Sequence, residues 1–180
     1  LAGSVSAAGF FIWIEHTLPD PGNLIDRAVE QSTKIYDRTG KIVLYDIHGE
    51  KKRTVISFDA IPDSIKWATI AIEDKKFYEH DGFDIKGIIR SVIVDISRGG
   101  KAQGGSTITQ QLIKNSILSR EKTYTRKIKE LILAWKLENK LSKNQILELY
   151  LNEIPYGSIS YGIESAAQTF FGKEAKELRL

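Results

Sequence analysis

Apolar residues recur every three or four positions along most of the chain beyond Pro62, and this spacing is typical of amphipathic helices. Asp63 offers an N-cap for the first of them, and Ser142 with Gln145 forms a candidate capping box for a later one. The predicted helices cover residues 63–78, 85–96, 106–118, 124–141, 143–152 and 162–170. The pattern therefore predicts a mainly α domain.

The segment before Pro62 carries a different pattern. The stretch KIYDRTGKIVLYDI places two β-rich runs around residues 37–40, which favour a tight turn. Farther along, residues 98–105 hold four glycines and predict a mobile loop between two helices. The predicted fold class is mainly α, with a small β-hairpin element near the N-terminus.

The first residues predict contact with a membrane. Residues 1–14 carry no charge and end in FFIWI, although a full span needs about 20 apolar residues. We interpret them as the outer end of a transmembrane helix, with Trp13 near the interface. A buried core helix and the end of a signal peptide are the alternatives. The expected organisation is an anchor at 1–16, a linker with a small β element at 17–60, and the main domain at 61–180.

Composition narrows the function classes. The 180 residues suffice for one domain, and 42% hydrophobic residues indicate a folded chain. The net charge is only +3, but basic residues cluster between Lys114 and Lys143, which favours an anionic partner such as phosphate, nucleic acid or a lipid headgroup. The chain has no cysteine, and its three histidines lack ligand spacing, so disulfides are excluded and a zinc site is disfavoured.

Glu73 is the first candidate for chemistry. It follows the apolar run at 70–72, and helical spacing places it on one stripe with Ile70 and Phe77. We therefore expect its side chain to face an apolar wall, a setting that disfavours the charged form and suits proton transfer near neutral pH. The alternative is a partly buried acid neutralised by Lys or Arg.

The stretch GGSTITQQLIKN at residues 104–115 predicts an anion site. Two glycines precede Ser106 where a helix should begin, and free N–H groups at a helix start favour an anion. Gln110, Gln111 and Lys114 add donors on the first turns. The alternative is an ordinary Gly-Ser cap, whereas a P-loop is excluded because no Lys follows the glycine at the required spacing.

A second acid lies in TRKIKELILAWKLE, residues 125–138. Glu130 shares a helical stripe with apolar residues, and the helix is apolar over most of its circumference, which predicts that it is buried. Arg126 and Lys127 precede Glu130 by one turn. The alternative is a surface ion pair between Arg126 and Glu130, worth about 0.3–0.5 kcal/mol.

Two acids, an anion site and extra cations together favour glycosyl chemistry. One carboxylate can activate an oxygen nucleophile while other groups assist departure from the anomeric carbon. A pyrophosphate leaving group would need the cations but no protonation by a carboxylic acid. The set therefore points to transfer from a diphosphate-linked sugar more than to hydrolysis of a glycan.

Five segments in order resemble the motifs of one family. They are EDKKFYEHDG (73–82), GGSTITQQ (104–111), RKIKE (126–130), KNQILELYLNEIPYG (143–157) and YGIESAAQTFFGK (161–173). The chain thereby resembles the peptidoglycan glycosyltransferase domain (glycosyltransferase family 51) of class A penicillin-binding proteins and their monofunctional relatives. The resemblance implies a lysozyme-like helical fold and polymerisation of lipid II on the outer, periplasmic face of the cytoplasmic membrane, with a single-pass anchor.

The resemblance also implies roles for individual residues. Glu73 matches the general base that deprotonates the 4-hydroxyl of the acceptor GlcNAc, which attacks C1 of the donor MurNAc with inversion and releases undecaprenyl pyrophosphate. Glu130 matches the second acid, which assists around the donor site. His80 and Phe77 are expected to hold the first motif in shape. The residues expected to bind the donor's pyrophosphate and sugars are Ser106, Gln111, Lys114, Arg126 and Lys127.

The implied partners are lipid II, the growing glycan strand, the bilayer and the inhibitor moenomycin. The resemblance implies no firmly bound cofactor, although Mg²⁺ or Mn²⁺ can accompany the pyrophosphate. We expect Glu148, Tyr150 and Asn152 to serve the core or the packing between helices. The sequence leaves open whether a transpeptidase domain follows. The alternatives are an inactive lipid II-binding or scaffold module and a lytic enzyme; nucleic-acid binding is disfavoured because the basic stretch is a core helix.

Overall fold

The computed structural model describes residues 18–21, 24, 31–49, 51–88, 105–118 and 123–179. The strands are β1 (Thr33–Tyr36), β2 (Val43–Ile47), β3 (Lys52–Arg53), β4 (Pro155–Gly157) and β5 (Ser160–Tyr161). The helices are α1 (Asp63–Glu73), α2 (Ile108–Ser116), α3 (Tyr124–Glu138), α4 (Lys143–Glu153) and α5 (Ile163–Phe171), with 3-10 turns at Phe58–Ala60 and Ala175–Glu177. The predicted mainly α class with a small β-hairpin is confirmed.

Several predictions concern residues outside this description. The proposed anchor at 1–16 lies outside the described residues, as do most of the loop at 98–105 and the greater part of the helix at 85–96, of which residues 85–88 are helical. Within the described part of the chain, no helix is long and apolar enough to cross a bilayer.

The predicted hairpin forms from β1 and β2, which pair antiparallel. Its turn is organised by the Asp37 carboxylate, which accepts hydrogen bonds from the Thr39 hydroxyl at 2.6 Å and from the backbone N–H groups of Lys41 and Ile42 at 3.0 and 3.1 Å. The Thr39 and Ile42 bonds hold the pKa of this exposed carboxyl below its usual value.

A second small sheet joins distant parts of the chain. Its strand order is β3-β5-β4, with β3 parallel to β5 and β4 antiparallel to it. Strand β3 belongs to the segment predicted as linker and small β element, so this segment packs directly on the helical domain. Arg53 of β3 is buried there, and its Nη1 lies 3.0 Å from Glu153 Oε2 on α4.

The hydrophobic core lies among α2, α3 and α4. Helix α2 packs between the other two and contributes apolar side chains that are completely buried. Leu133 and Leu137 meet them from α3, and Ile146 and Leu147 from α4. The prediction that α3 is buried around most of its circumference is wrong, because Trp135 on its other side is 50% exposed. Helix α3 is therefore amphipathic.

The helix ends show where local signals suffice. The Ser142–Gln145 capping box of α4 is present as predicted. Helix α1, in contrast, begins after an N-cap at Pro62 and ends at Glu73, five residues before the predicted end. Helix α2 begins at Ile108 after Thr107, which forms a capping box with Gln110, so the predicted start at Ser106 is two residues early.

Candidate active site

Glu73 is the last residue of α1, and its side chain is exposed. Its Oε2 accepts a hydrogen bond from Gln111 Nε2 at 2.8 Å. The expectation that Glu73 faces an apolar wall is wrong, because the helix ends there and Phe77 no longer follows on the same helical stripe. Ile70 and Phe77 are buried, but Glu73 is not.

The next residue, Asp74, occupies a very different place. Its buried carboxylate accepts the Ile108 N–H at 3.1 Å and lies 3.0 Å from His80 Nε2 through both oxygens. The start of α2 therefore already holds an anion, which is a side chain of the protein. The prediction of free N–H groups for a substrate anion is wrong for Ile108, and also for Gln110, whose N–H donates to the Thr107 hydroxyl.

The segment after Asp74 is braced against three helices. Phe77 is fully buried, and the His80 carbonyl accepts a hydrogen bond from Lys143 Nζ on α4. The Gly82 carbonyl accepts from the Thr107 hydroxyl at 2.6 Å. A Cβ on Gly82 would lie 2.9 Å from the Ala134 carbonyl carbon of α3, and its φ is +91°, so only glycine fits this approach. His80 and Phe77 thus lie where they can hold this segment in shape.

Glu130 lies on α3 and is 1% exposed. Arg126 Nη1 donates to its Oε2 at 2.9 Å, and Lys127 Nζ contacts its Oε1. The predicted burial on an apolar stripe is correct. The surface ion pair considered as the alternative is wrong, because the Arg126–Glu130 pair forms with its acid inside the protein.

Lys127 connects Glu130 to the start of α2. Its Nζ donates to Ser106 Oγ at 2.9 Å and to Gln110 Oε1 at 3.3 Å. Gln110 is completely buried, and the next residue, Gln111, holds Glu73. Two consecutive glutamines of α2 thus connect to the two acids: Gln111 bonds Glu73 directly, and Gln110 bonds the lysine that is paired with Glu130.

A cleft of about 1000 Å³ opens beside this cluster. Its described lining carries five Lys or Arg side chains and one acid, so it is strongly basic. The lining residues are Lys51, Arg53, Lys114, Asn115, Leu118, Thr123, Tyr124, Arg126, Lys127, Glu153, Pro155 and Tyr161. Of the residues expected to bind the donor, Lys114, Arg126 and Lys127 lie on this cleft. Ser106 is not part of the described lining, but it accepts a hydrogen bond from Lys127, which is. Gln111 is also absent from the described lining and is hydrogen-bonded to Glu73.

Sequence reasoning missed one wall of the cleft. Strands β3 and β5 bring Lys51 and Arg53 next to Tyr161, with Lys51 Nζ 5.1 Å and the Arg53 guanidinium carbon 5.4 Å from the ring centroid. Cations at this distance are attracted by the ring face. Local spacing could not predict this contact, because more than one hundred residues separate the two strands.

Two tyrosines lie near Glu73: Tyr150 is buried, and Tyr156 is partly buried. The Tyr150 hydroxyl donates to Gln111 Oε1 at 3.1 Å. Burial above all, and then the charge of Glu73, raises the pKa of Tyr150; burial, followed by the neighbouring Tyr150 and Glu73, raises the pKa of Tyr156. Both hydroxyls therefore stay protonated at neutral pH. In the described residues, no cluster of three His, Asp or Glu side chains could hold a metal ion.

Known proteins resemble this chain along most or all of its length. Penicillin-binding protein 1A of Vibrio cholerae is 42% identical over 180 residues, all of this chain and 22% of the relative. The protein of that name from Aquifex aeolicus is 47% identical over 171 residues, 95% of this chain and 23% of the relative. That from Escherichia coli is 44% identical over 180 residues, all of this chain and 21% of the relative.

The chain therefore spans about a fifth of the length of these curated relatives. The protein family described as Transglycosylase matches residues 40–180, which include every described residue of the site. With this match over most of the chain, and with the relatives above, the chain belongs to the transglycosylase family.

Proposed function

We propose that the chain is a peptidoglycan glycosyltransferase domain that polymerises lipid II. The observation that carries this proposal is the way α2 joins two unlike acids: Gln111 holds the exposed Glu73, while Gln110 contacts the Lys127 that is paired with buried Glu130. One side of α2 thus presents a carboxylate able to accept a proton. The other side borders a basic cleft suited to a pyrophosphate.

Glu73 acts as the general base in this proposal. Gln111 occupies its Oε2, which leaves Oε1 to take the proton from the 4-hydroxyl of the acceptor GlcNAc. The oxygen of that hydroxyl forms a bond to C1 of the donor MurNAc, and the C1–oxygen bond to the pyrophosphate breaks with inversion. Because the leaving group carries its charge as a stable anion, it needs cations rather than a proton donor.

The cations of the cleft serve the leaving group. Lys114, Arg126 and Lys127 line one wall and can form charge-assisted hydrogen bonds with pyrophosphate oxygens. Such preorganised cations stabilise charge as it develops on the departing oxygen. Lys51, next to strand β3, adds positive charge to the same cleft.

Glu130 organises these cations. Both of its oxygens are taken by Arg126 and Lys127, and the side chain is shielded from solvent. Its role in the proposal is to counterbalance the two charges and hold their side chains at the cleft, since neither oxygen is open to transfer a proton. This assigns the second acid to binding of the donor.

In this proposal, a divalent cation binds together with the substrate, because the described lining of the cleft offers it little protein carboxylate. Among the described residues that line the cleft, the acid Glu153 is already paired with Arg53 at 3.0 Å. Mg²⁺ commonly binds through substrate phosphates and retains several waters. In our proposal, Mg²⁺ or Mn²⁺ enters with the pyrophosphate.

The setting of the full protein belongs to the same proposal. A polyprenyl-linked donor stays in the bilayer, so we place the domain on the periplasmic face of the inner membrane, held by a single-pass anchor. The relatives are named for penicillin binding and are several times longer than this chain. The proposal therefore includes a transpeptidase domain in the full-length protein, and moenomycin as an inhibitor of the donor site.

The test is incubation of detergent-solubilised protein with labelled lipid II and Mg²⁺, followed by separation of the products by size. We expect long glycan and released undecaprenyl pyrophosphate from the wild type. Glu73→Gln should yield no polymer. Glu79→Gln, a change to an exposed acid six residues away, serves as the matched control and should polymerise normally.

Two other outcomes would contradict the proposal. Shortening of finished glycan without any growth from lipid II would identify a lytic enzyme. Binding of lipid II without polymer or released pyrophosphate, in protein whose fold is intact, would identify an inactive binding or scaffold module.

A further inference from the structure

Tyr150 is tied to Glu73 by a chain of two hydrogen bonds. The Tyr150 hydroxyl donates to Gln111 Oε1 at 3.1 Å, and Gln111 Nε2 donates to Glu73 Oε2 at 2.8 Å. Tyr150 belongs to α4, Gln111 to α2 and Glu73 to the end of α1. Three separate helices therefore meet at one exposed carboxylate.

The direction of each bond follows from chemistry. Burial keeps the Tyr150 hydroxyl protonated, so it can donate. The Gln111 oxygen accepts this hydrogen bond, so the amide NH₂ group faces Glu73. An amide without the tyrosine could rotate by 180° and present its oxygen to the carboxylate instead. The Tyr150 hydroxyl thus fixes which end of Gln111 faces Glu73.

The two ends of this hydrogen-bond chain differ in burial. Tyr150 is 2% exposed and packs in the core, whereas Glu73 is exposed at a helix end. An exposed glutamate samples several rotamers and loses side-chain entropy when it is fixed in one of them. A donor that is itself held by the core supplies this restraint before substrate arrives.

We propose that Tyr150 is a positioning residue for catalysis, which acts through Gln111 to orient the Glu73 carboxylate with one oxygen free for the acceptor hydroxyl. This inference rests on the proposed function, in which Glu73 is the base. It gives the residue a role beyond the packing expected from sequence. Tyr150 touches neither substrate nor the reacting atoms.

The inference also changes the role of Gln111. Both its oxygen and its nitrogen are engaged by protein groups, and the described lining of the cleft includes Lys114 but not Gln111. Gln111 is expected from sequence to bind the donor. The geometry assigns it to the acceptor side, where it holds the base.

The first test is Tyr150→Phe, which removes the hydroxyl and keeps the ring in the core. We expect kcat for lipid II polymerisation to fall about three- to tenfold, as for the loss of one hydrogen bond, with KM changed less than about twofold. Tyr156→Phe is the matched control, since Tyr156 is a neighbouring, partly buried tyrosine without a hydrogen bond to Glu73 or Gln111 in the described residues. An equal fall in both variants would overturn the proposal.

The second test separates positioning from packing. Tyr150→Phe is introduced into a Gln111→Ala background, where the hydrogen bonds from Tyr150 to Gln111 and from Gln111 to Glu73 are already lost. We expect no further fall in kcat, because coupled residues are non-additive. A full additional fall would show that Tyr150 acts through the core and would overturn the proposal.

Glu73→Gln, measured beside these variants, separates a failure of Glu73 as the base from a failure of Tyr150 as its positioning residue. If Glu73→Gln retains turnover, the assignment of the base fails, and the positioning role fails with it. If Glu73→Gln is inactive while Tyr150→Phe matches the wild type, only the positioning role is contradicted.

Discussion

Glu73 lies exposed at the end of α1 and accepts a hydrogen bond from the neutral Gln111, whereas Glu130 lies buried on α3 between two cations. The first has an oxygen open to an incoming hydroxyl. The second is 1% exposed, and each of its oxygens contacts a cation. Two glutamates that look alike in the sequence therefore suit opposite tasks: one can exchange a proton, and the other can hold positive charge in place.

Burial alone therefore does not show which of the two acids can exchange a proton. Glu73 is exposed, and its side-chain partner among the described residues is the uncharged Gln111. Burial and ionic pairing make Glu130 part of the framework, because removing a buried partner leaves unpaired charge. Helix α2 contacts both regions through Gln110 and Gln111, and it thereby links Glu73 to the side chains of the cationic cleft.

The largest expected difference concerns stability. Glu130→Gln should lower the free energy of unfolding by about 2–4 kcal/mol, somewhat less than for a fully buried pair because Lys127 is 38% exposed. Glu73→Gln should change it by less than about 0.5 kcal/mol, as is usual for an exposed position. Urea unfolding of the two variants checks this, and equal losses would refute the contrast between the two acids.

Lys127→Ala tests whether a cation paired with Glu130 binds the donor pyrophosphate. It removes a charge from the cleft and its hydrogen bond to Ser106, so affinity for a lipid pyrophosphate analogue should fall about 10- to 100-fold, as for a charge-assisted hydrogen bond. Lys129→Ala, on the same helix and absent from the described lining of the cleft, is the control. Unchanged affinity in Lys127→Ala, measured by fluorescence titration, would refute this role of Lys127.

Asp74→Asn tests the neighbour of Glu73. The change removes the charge at the start of α2 and weakens the pairing with His80, so the free energy of unfolding should fall by about 1–2 kcal/mol. Asp63 is an exposed acid at the start of α1, the helix that ends just before Asp74. Asp63→Asn should have less effect. Denaturation midpoints compare the two variants, and a stable Asp74→Asn protein would show that the carboxylate charge is not needed there.

The smallest effect is expected at Asp37, an acid outside the site. Hydrogen bonds from Thr39 and Ile42 lower its pKa in the folded state, so the stability it contributes is present above the unfolded value of 3.8 and is lost as pH falls through the lower folded pKa. The amide resonances of Lys41 and Ile42, followed by NMR during an acid titration, should report this loss. Their titration should disappear in Asp37→Asn, and its persistence would assign it to another group.

Local patterns predicted much of the fold. The Ser142–Gln145 capping box, the hairpin around Asp37 and the buried stripe that includes Glu130 all depend on residues within one or two turns of each other. Short-range spacing determines such features, so a single sequence reveals them.

Tertiary contacts decided the rest. Helix α1 ends at Glu73 because the next residue turns its carboxylate to the Ile108 N–H and to His80, contacts that helical periodicity does not encode. The β3–β5 pairing and the Tyr150–Gln111 hydrogen bond join segments about 40 to 100 residues apart. The exposure of Glu73 and the second wall of the cleft follow from these contacts, which is why the sequence did not predict them.

The central claim is that Glu73 performs chemistry and contributes little to donor binding. The most direct test measures, for Glu73→Gln, both the polymerisation rate at saturating lipid II and the affinity for a lipid pyrophosphate analogue. We predict a rate at least about 100-fold below wild type, as for loss of a general base, with unchanged affinity. Retained turnover, or an affinity lost in proportion to the rate, would contradict the account.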